Sequence, residues 1–165
     1  KLPVYQGEQF RYLTEKLNGY ITGAYVYNKM GLTEQVATTI TIATPNPVRR
    51  FRFKNLDIEC VKAYCMDYSD ESLVPYLRLL DAIKDMKRIP GTTGQDIYNR
   101  VKSQYFNGYS LPELEKIVSL AKSYPPRVRK VVADILGDIR QTVLQTEMAK
   151  TILPTTRFNL DYKTA

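Results

Sequence analysis

The sequence predicts an α+β fold, a small antiparallel sheet with helices before it and a helical C-terminal half. Two changes of period carry that expectation. Apolar residues recur at helical spacing to about residue 32, alternate between 36 and 66, and return to helical spacing from Leu73 onward. The third observation is the β-branched richness of "VATTITIAT", residues 36–44, a composition that suits a pleated surface.

Taken in order, "EQFRYLTEKLNG", residues 8–19, puts Phe10, Leu13 and Leu17 on one helical face and stops at Gly19. "YITGAYVYNKMGL", 20–32, predicts a second short helix with Thr22 as N-cap and Gly31 as its end. Strands are expected at 36–44, at 49–54 ("RRFRFK") and at 57–66 ("DIECVKAYCM"). The short connections "PNP" and "NL" predict an antiparallel meander. Helices follow at 73–87, 93–106, 111–123 and 125–145, the last opening on Pro125 and Pro126, where a missing N–H costs no hydrogen bond. Residues 1–153 read as one domain and "PTTRFNLDYKTA", 154–165, as an extended tail.

The composition excludes more than it selects. With 165 residues, 44% of them hydrophobic and 25% charged, the chain suits one domain with a real core. It contains no histidine, which removes Ser-His and Cys-His nucleophile pairs, histidine-containing metal sites and a histidine base. Cys60 and Cys65 are too few for a zinc site, and they read as reduced core residues of a cytoplasmic protein. No metal or cofactor is expected. A formal net charge of +7 and a pI near 9.3 favour nucleic acid or an acidic protein as partner. No apolar run approaches the roughly 18 residues of a membrane span, and no signal-peptide pattern opens the chain. The first residue is Lys1 rather than Met, so an upstream segment is expected.

Several acids are candidate catalytic groups. In "LVPYLRLLDAIKDMKRIPGTT", 73–93, Asp81 edges a stripe formed by Leu73, Tyr76, Leu77, Leu80, Ile83 and Lys84. A structural Asp81, bonded to a backbone amide or to Arg78, is favoured, because a half-buried acid is normally paired. A catalytic role requires a second converging acid, for which Asp67, Asp70 and Glu71 are the nearest in sequence. "DYSDES" is also an ordinary polar loop in which Asp70 or Ser72 caps the next helix. In "LDIECVK", Asp57, Glu59 and Lys62 are similar to the acid-acid-lysine set of metal-dependent nucleases. Such sites need carboxylate and lysine two apart on one strand, however, and three apart they face opposite ways unless a bulge intervenes. "IPGTTGQD" lacks the strand and lysine of a phosphate loop and predicts a turn with Thr92 or Thr93 as N-cap.

Positive charge remains. In "RRFRFK", Arg50, Arg52 and Lys54 share one strand face, Phe51 and Phe53 share the other, buried one, and Arg49 precedes them. Either the cations are a solvated outer face or they form a platform for phosphates or an acidic partner. Arg127, Arg129 and Lys130 form a second cluster at a helix start, where cations oppose the helix dipole.

The segments "GYITGAYVYNKMGLTEQVATTITIAT", "LVPYLRLLDAIKDMKRIPGTT", "LAKSYPPRVRKVVADILGDI" and "LPTTRFNL" stand in an order and spacing that resembles bacterial proteins similar to AbiEi, the antitoxin of type IV toxin-antitoxin (abortive infection) systems. The resemblance spans roughly residues 18–160 and rests on patterns of fold rather than of chemistry. It implies a phage-defence transcriptional regulator in which an N-terminal winged helix binds DNA and a C-terminal domain carries the antitoxin activity. The toxin it implies is a nucleotidyltransferase-like protein, whose effect the antitoxin opposes without necessarily binding it. These residues correspond to the C-terminal domain, without the winged helix. The expected function is therefore a non-catalytic antitoxin and regulatory module, with Arg49, Arg50, Arg52, Lys54, Arg127, Arg129 and Lys130 as candidate binding residues. The alternatives are a carboxylate-metal nuclease or nucleotide-processing enzyme, and a basic nucleic-acid-binding domain.

Overall fold

Phe10, Leu13 and Leu17 are buried along one side of α1 (Val4–Leu17) in the computed structural model of the chain, which describes residues 4–46, 49–65, 70–159 and Tyr162. A lone helix of this length is marginal in water. Each large apolar side chain buried contributes about 1.5–3 kcal/mol, so packing rather than propensity holds α1. Its end is a Schellman motif: Asn18 takes positive φ (53°), Gly19 N–H donates to Thr14 O and Asn18 N–H to Glu15 O. Gly19 has a separate role, since a Cβ there would lie 2.0 Å from Ala43 O. Thr44 Oγ1 donates to Leu17 O across 2.5 Å and satisfies a terminal carbonyl of α1.

Contacts divide the chain into two compact units, Lys1–Arg78 and Leu79–Ala165. In the first unit, the predicted second helix is replaced by a strand and a shorter helix. β1 (Tyr20–Thr22) pairs antiparallel with β2 (Thr39–Thr44), and Gly23, at φ 83°, turns the chain into α2 (Ala24–Lys29). Thr22 is therefore a buried strand residue, not an N-cap. Gly31 does end α2, at φ 76°.

β3 (Arg50–Phe53) and β4 (Leu56–Lys62) form a hairpin through Lys54 and Asn55, as expected, but the sheet is mixed rather than an antiparallel meander. Its order is β1-β2-β4-β3, with β2 and β4 parallel. Burial explains the order. β4 carries Ile58 and Cys60, both buried, and takes a central place, whereas the arginine-bearing β3 sits at the edge, where charge is tolerated. Ile21, Ile40, Ile42, Ile58 and Cys60 meet Phe10, Leu13, Leu17 and Val26 in one core, with Phe51 and Phe53 packed only partly against it. Cys60 and Cys65 are free thiols.

Asp70 caps a single 3-10 turn, Glu71–Leu73, accepting from the N–H and hydroxyl of Ser72. Asp67 and Met66, the end of the predicted third strand, lie outside the described residues, as does most of 160–165. α3 (Val74–Lys84) follows.

The second unit is helical: α4 (Gly94–Gln104), α5 (Leu111–Ala121), α6 (Pro126–Asp138) and α7 (Thr142–Ala149). Thr93 caps α4, and Ser110 with Glu113 forms a capping box on α5. The predicted single helix over 125–145 is broken. Arg140 takes φ 65°, and Gln141 N–H donates to Leu136 O. A Cβ at Gly137 would lie 2.5 Å from Nε2 at the end of the Gln145 side chain of α7, which rests against the glycine. The expected tail is anchored: Tyr162 is buried and donates to Asp134 across 2.8 Å. No helix among the described residues is long and apolar enough to cross a membrane.

Candidate nucleic-acid or partner interface

The hairpin β3–β4 fixes where each cation of "RRFRFK" goes. Cys60 N–H donates to Arg49 O, and the antiparallel alternation then makes Arg50–Glu59 and Arg52–Asp57 the non-hydrogen-bonded pairs, whose side chains stand closest. Arg50 reaches Glu59 at 2.6 Å and Arg52 reaches Asp57 at 3.1 Å. These pairs are exposed and contribute little to stability. Their consequence is electrostatic, because the two arginines are neutralised on their own strand face. A depression of about 350 Å³ on that face is lined by Thr39, Arg50, Arg52 and Asp57.

The expected shared face of Arg50, Arg52 and Lys54 is therefore not formed. Arg49 has the strand parity of Phe51 and lies 4.8 Å from its ring centre. Lys54 sits in the two-residue turn at φ 55°, and the turn directs its ammonium over Phe53, 5.6 Å from the ring centre. Phe53 stacks on Tyr12 of α1 at 5.5 Å and 20° between planes, and Lys16, one turn on, lies 5.7 Å over the Tyr12 ring. Arg49, Lys54 and Lys16 have no ion-pair partner among the described residues. A rim of alternating rings and unneutralised cations results, with Tyr12 49% exposed.

Tyr12 and Lys16 escape a reading of the sequence that follows only the buried stripe. The available signal is their spacing of four on the opposite side of α1, which puts ring and ammonium together. That Phe53 meets Tyr12 is a tertiary fact. Arg49 also bonds the Cys60 thiol: burial pushes the thiol's pKa up, and the Arg49 charge and hydrogen bond pull against it.

Two members of the second predicted cluster are engaged within the chain. Arg129 donates from Nε to Tyr124 O at 3.0 Å and from Nη1 to Thr151 O, holding two backbone carbonyls. Lys130 binds the buried Asp134 at 3.0 Å. Arg127 is half-buried, and its enclosed Nη2 has no hydrogen-bond partner among the described residues.

Glu59 and Lys62 do not converge. The β2–β4 register runs without interruption from Asp57 to Lys62, so no bulge brings Glu59 and Lys62 to one face, and Lys62 lies over Tyr64. Asp81 is buried and accepts from Tyr124 at 2.7 Å. Arg78 Nε donates to Ile21 O. Among the described residues no group of three or more His, Cys, Asp or Glu is placed to hold a metal ion. A cleft of about 480 Å³ beside α1 and β1 pairs two arginines, Arg11 and Arg78, with two acids, Glu15 and Glu71.

No protein-family model, curated protein or solved structure matches this chain in comparison.

Proposed function

We propose that the chain is a non-catalytic binding module, the antitoxin and regulatory domain of an AbiEi-like type IV toxin-antitoxin system. In this reading it works in the cytoplasm, without a cofactor, against the effect of a nucleotidyltransferase-like toxin. The resemblance of the four quoted segments supplies the family. The observation that carries a binding role is the partition of charge on β3: Arg50 and Arg52 are spent on Glu59 and Asp57, while Arg49, Lys54 and Lys16 keep their full charge beside exposed ring surface. Cations held over rings remain available to an anionic partner. The runner-up, a carboxylate-metal nuclease, has less support, because the uninterrupted β2–β4 register leaves Glu59 and Lys62 on opposite faces of β4.

The test is co-expression of the chain with the nucleotidyltransferase-like toxin encoded beside it. Growth should be restored. A folded chain that gives no rescue, or purified chain that cleaves nucleic acid in a metal-dependent way, overturns the reading.

A further inference from the structure

We propose that the rim formed by α1 and β3 binds single-stranded nucleic acid, stacking a base on Tyr12 and holding phosphates with Arg49, Lys54 and Lys16. The inference rests on that rim being the working surface of the function just proposed, and it names the ligand class.

The chemistry of the rim is selective. A purely cationic patch would serve any polyanion, but here each of three cations is centred on an aromatic ring, at 4.8, 5.6 and 5.7 Å. Every nucleobase has a π-face, and a protein groove that alternates rings with cations meets base and phosphate in turn. The Tyr12–Phe53 stack supplies the platform. Phe53 backs it from the partly buried side and Tyr12 offers the open face. Stacking a base there removes water from ring surface already exposed, and Lys16 and Lys54 need only swing from ring to phosphate. A duplex keeps its base faces inside and gains nothing from Tyr12. An acidic peptide would use the cations but has no base face to stack on Tyr12.

The experiment is fluorescence anisotropy of a labelled oligothymidylate of about twelve nucleotides, titrated with the full chain. Affinity should fall with salt at a log-log slope of about −2, from three cations at roughly 0.7 each. Tyr12→Ser should weaken binding roughly tenfold with little change in melting, because the ring is half exposed. Lys16→Gln, at an exposed helical position, should independently flatten the slope by roughly 0.7. Equal affinity for a duplex of the same length, stronger binding to polyglutamate, or indifference to both Tyr12→Ser and Lys16→Gln would overturn the proposal. Oligonucleotide binding without cellular rescue sinks the antitoxin reading alone. Rescue without oligonucleotide binding sinks this one alone.

Discussion

Tyr124 donates its hydroxyl hydrogen to Asp81 across 2.7 Å, and both side chains are at most 2% exposed. The pair accounts for a carboxylate inside the leucine stripe of α3. A buried acid without a donor is costly, and the tyrosine that opens the "YPP" turn before α6 supplies one. Tyr124→Phe should destabilise by about 1.5–3 kcal/mol, the range for one hydrogen bond to a charged group, as measured by urea unfolding. Asp81→Asn should also lower the melting temperature and leave Mg²⁺ or Mn²⁺ calorimetry unchanged. Tight metal binding that vanishes in the Asn variant would give Asp81 a catalytic role instead.

Much of this was legible. The α1 stripe, the β3–β4 hairpin and the Thr93 cap follow from local pattern, because each rests on residues close together in sequence, whereas the Ser110–Glu113 box, equally local, was not read. What else escaped depends on distant partners. Gly19 reads as helix punctuation and Gly23 falls inside the expected helix 20–32, yet both serve close approach to β2, at Ala43 and Thr41. The sheet order could not be read from short connections, because β4, which follows β3 in sequence, lies between β2 and β3 in the sheet. The break after α6 left only Gly137 as a signal, with Arg140 in a conformation that its residue type disfavours. At the candidate interface, strand parity predicted the face of Arg50 and Arg52. Parity failed for Lys54, which the turn carries to the other side.

The half-buried state of Phe51 and Phe53 lowers the expected cost of truncation. The alternating pattern predicts full burial and a core-like loss of roughly 3–5 kcal/mol. On an edge strand, with part of each ring at the rim, the transfer and cavity terms both shrink. Phe53→Ala should cost about 2 kcal/mol, less than Phe10→Ala in the same core. Chemical denaturation ranking Phe53→Ala as costly as Phe10→Ala would contradict this placement.

Tyr98 gives the fold an alkaline limit. Its pKa is pushed far up, first by burial, then by donation to Asp138 and by the charges of Asp138 and Asp134. In the unfolded chain the phenol titrates near 10.0. The folded state therefore favours the protonated form, so the contribution is whole below that value and is lost as pH rises toward the folded pKa. Stability should fall between about pH 10 and pH 12, and Tyr98→Phe should flatten the decline while costing stability at neutral pH. An unchanged alkaline slope in the variant would place the sensitivity elsewhere.

The charge partition on β3 separates two sets of arginines and lysines that the sequence groups together. Arg50→Ser with Arg52→Ser removes two exposed ion pairs, each contributing about 0–1 kcal/mol, and leaves Glu59 and Asp57 exposed and unmatched. That variant should melt nearly as the parent does and keep antitoxin rescue, since neither guanidinium carries uncompensated charge. Arg49→Gln with Lys54→Gln should also fold, because both side chains lie over rings at the surface, but should lose rescue and salt-sensitive binding together. Lys54→Gly sharpens the comparison: glycine suits φ 55° and should stabilise the turn by up to about 1 kcal/mol while deleting one rim cation. A more stable protein with weaker binding is the expected signature. If the Arg50 and Arg52 variant loses rescue while the Arg49 and Lys54 variant keeps it, the working surface is the outer sheet face, and Glu59 and Asp57 serve to position its arginines rather than to neutralise them.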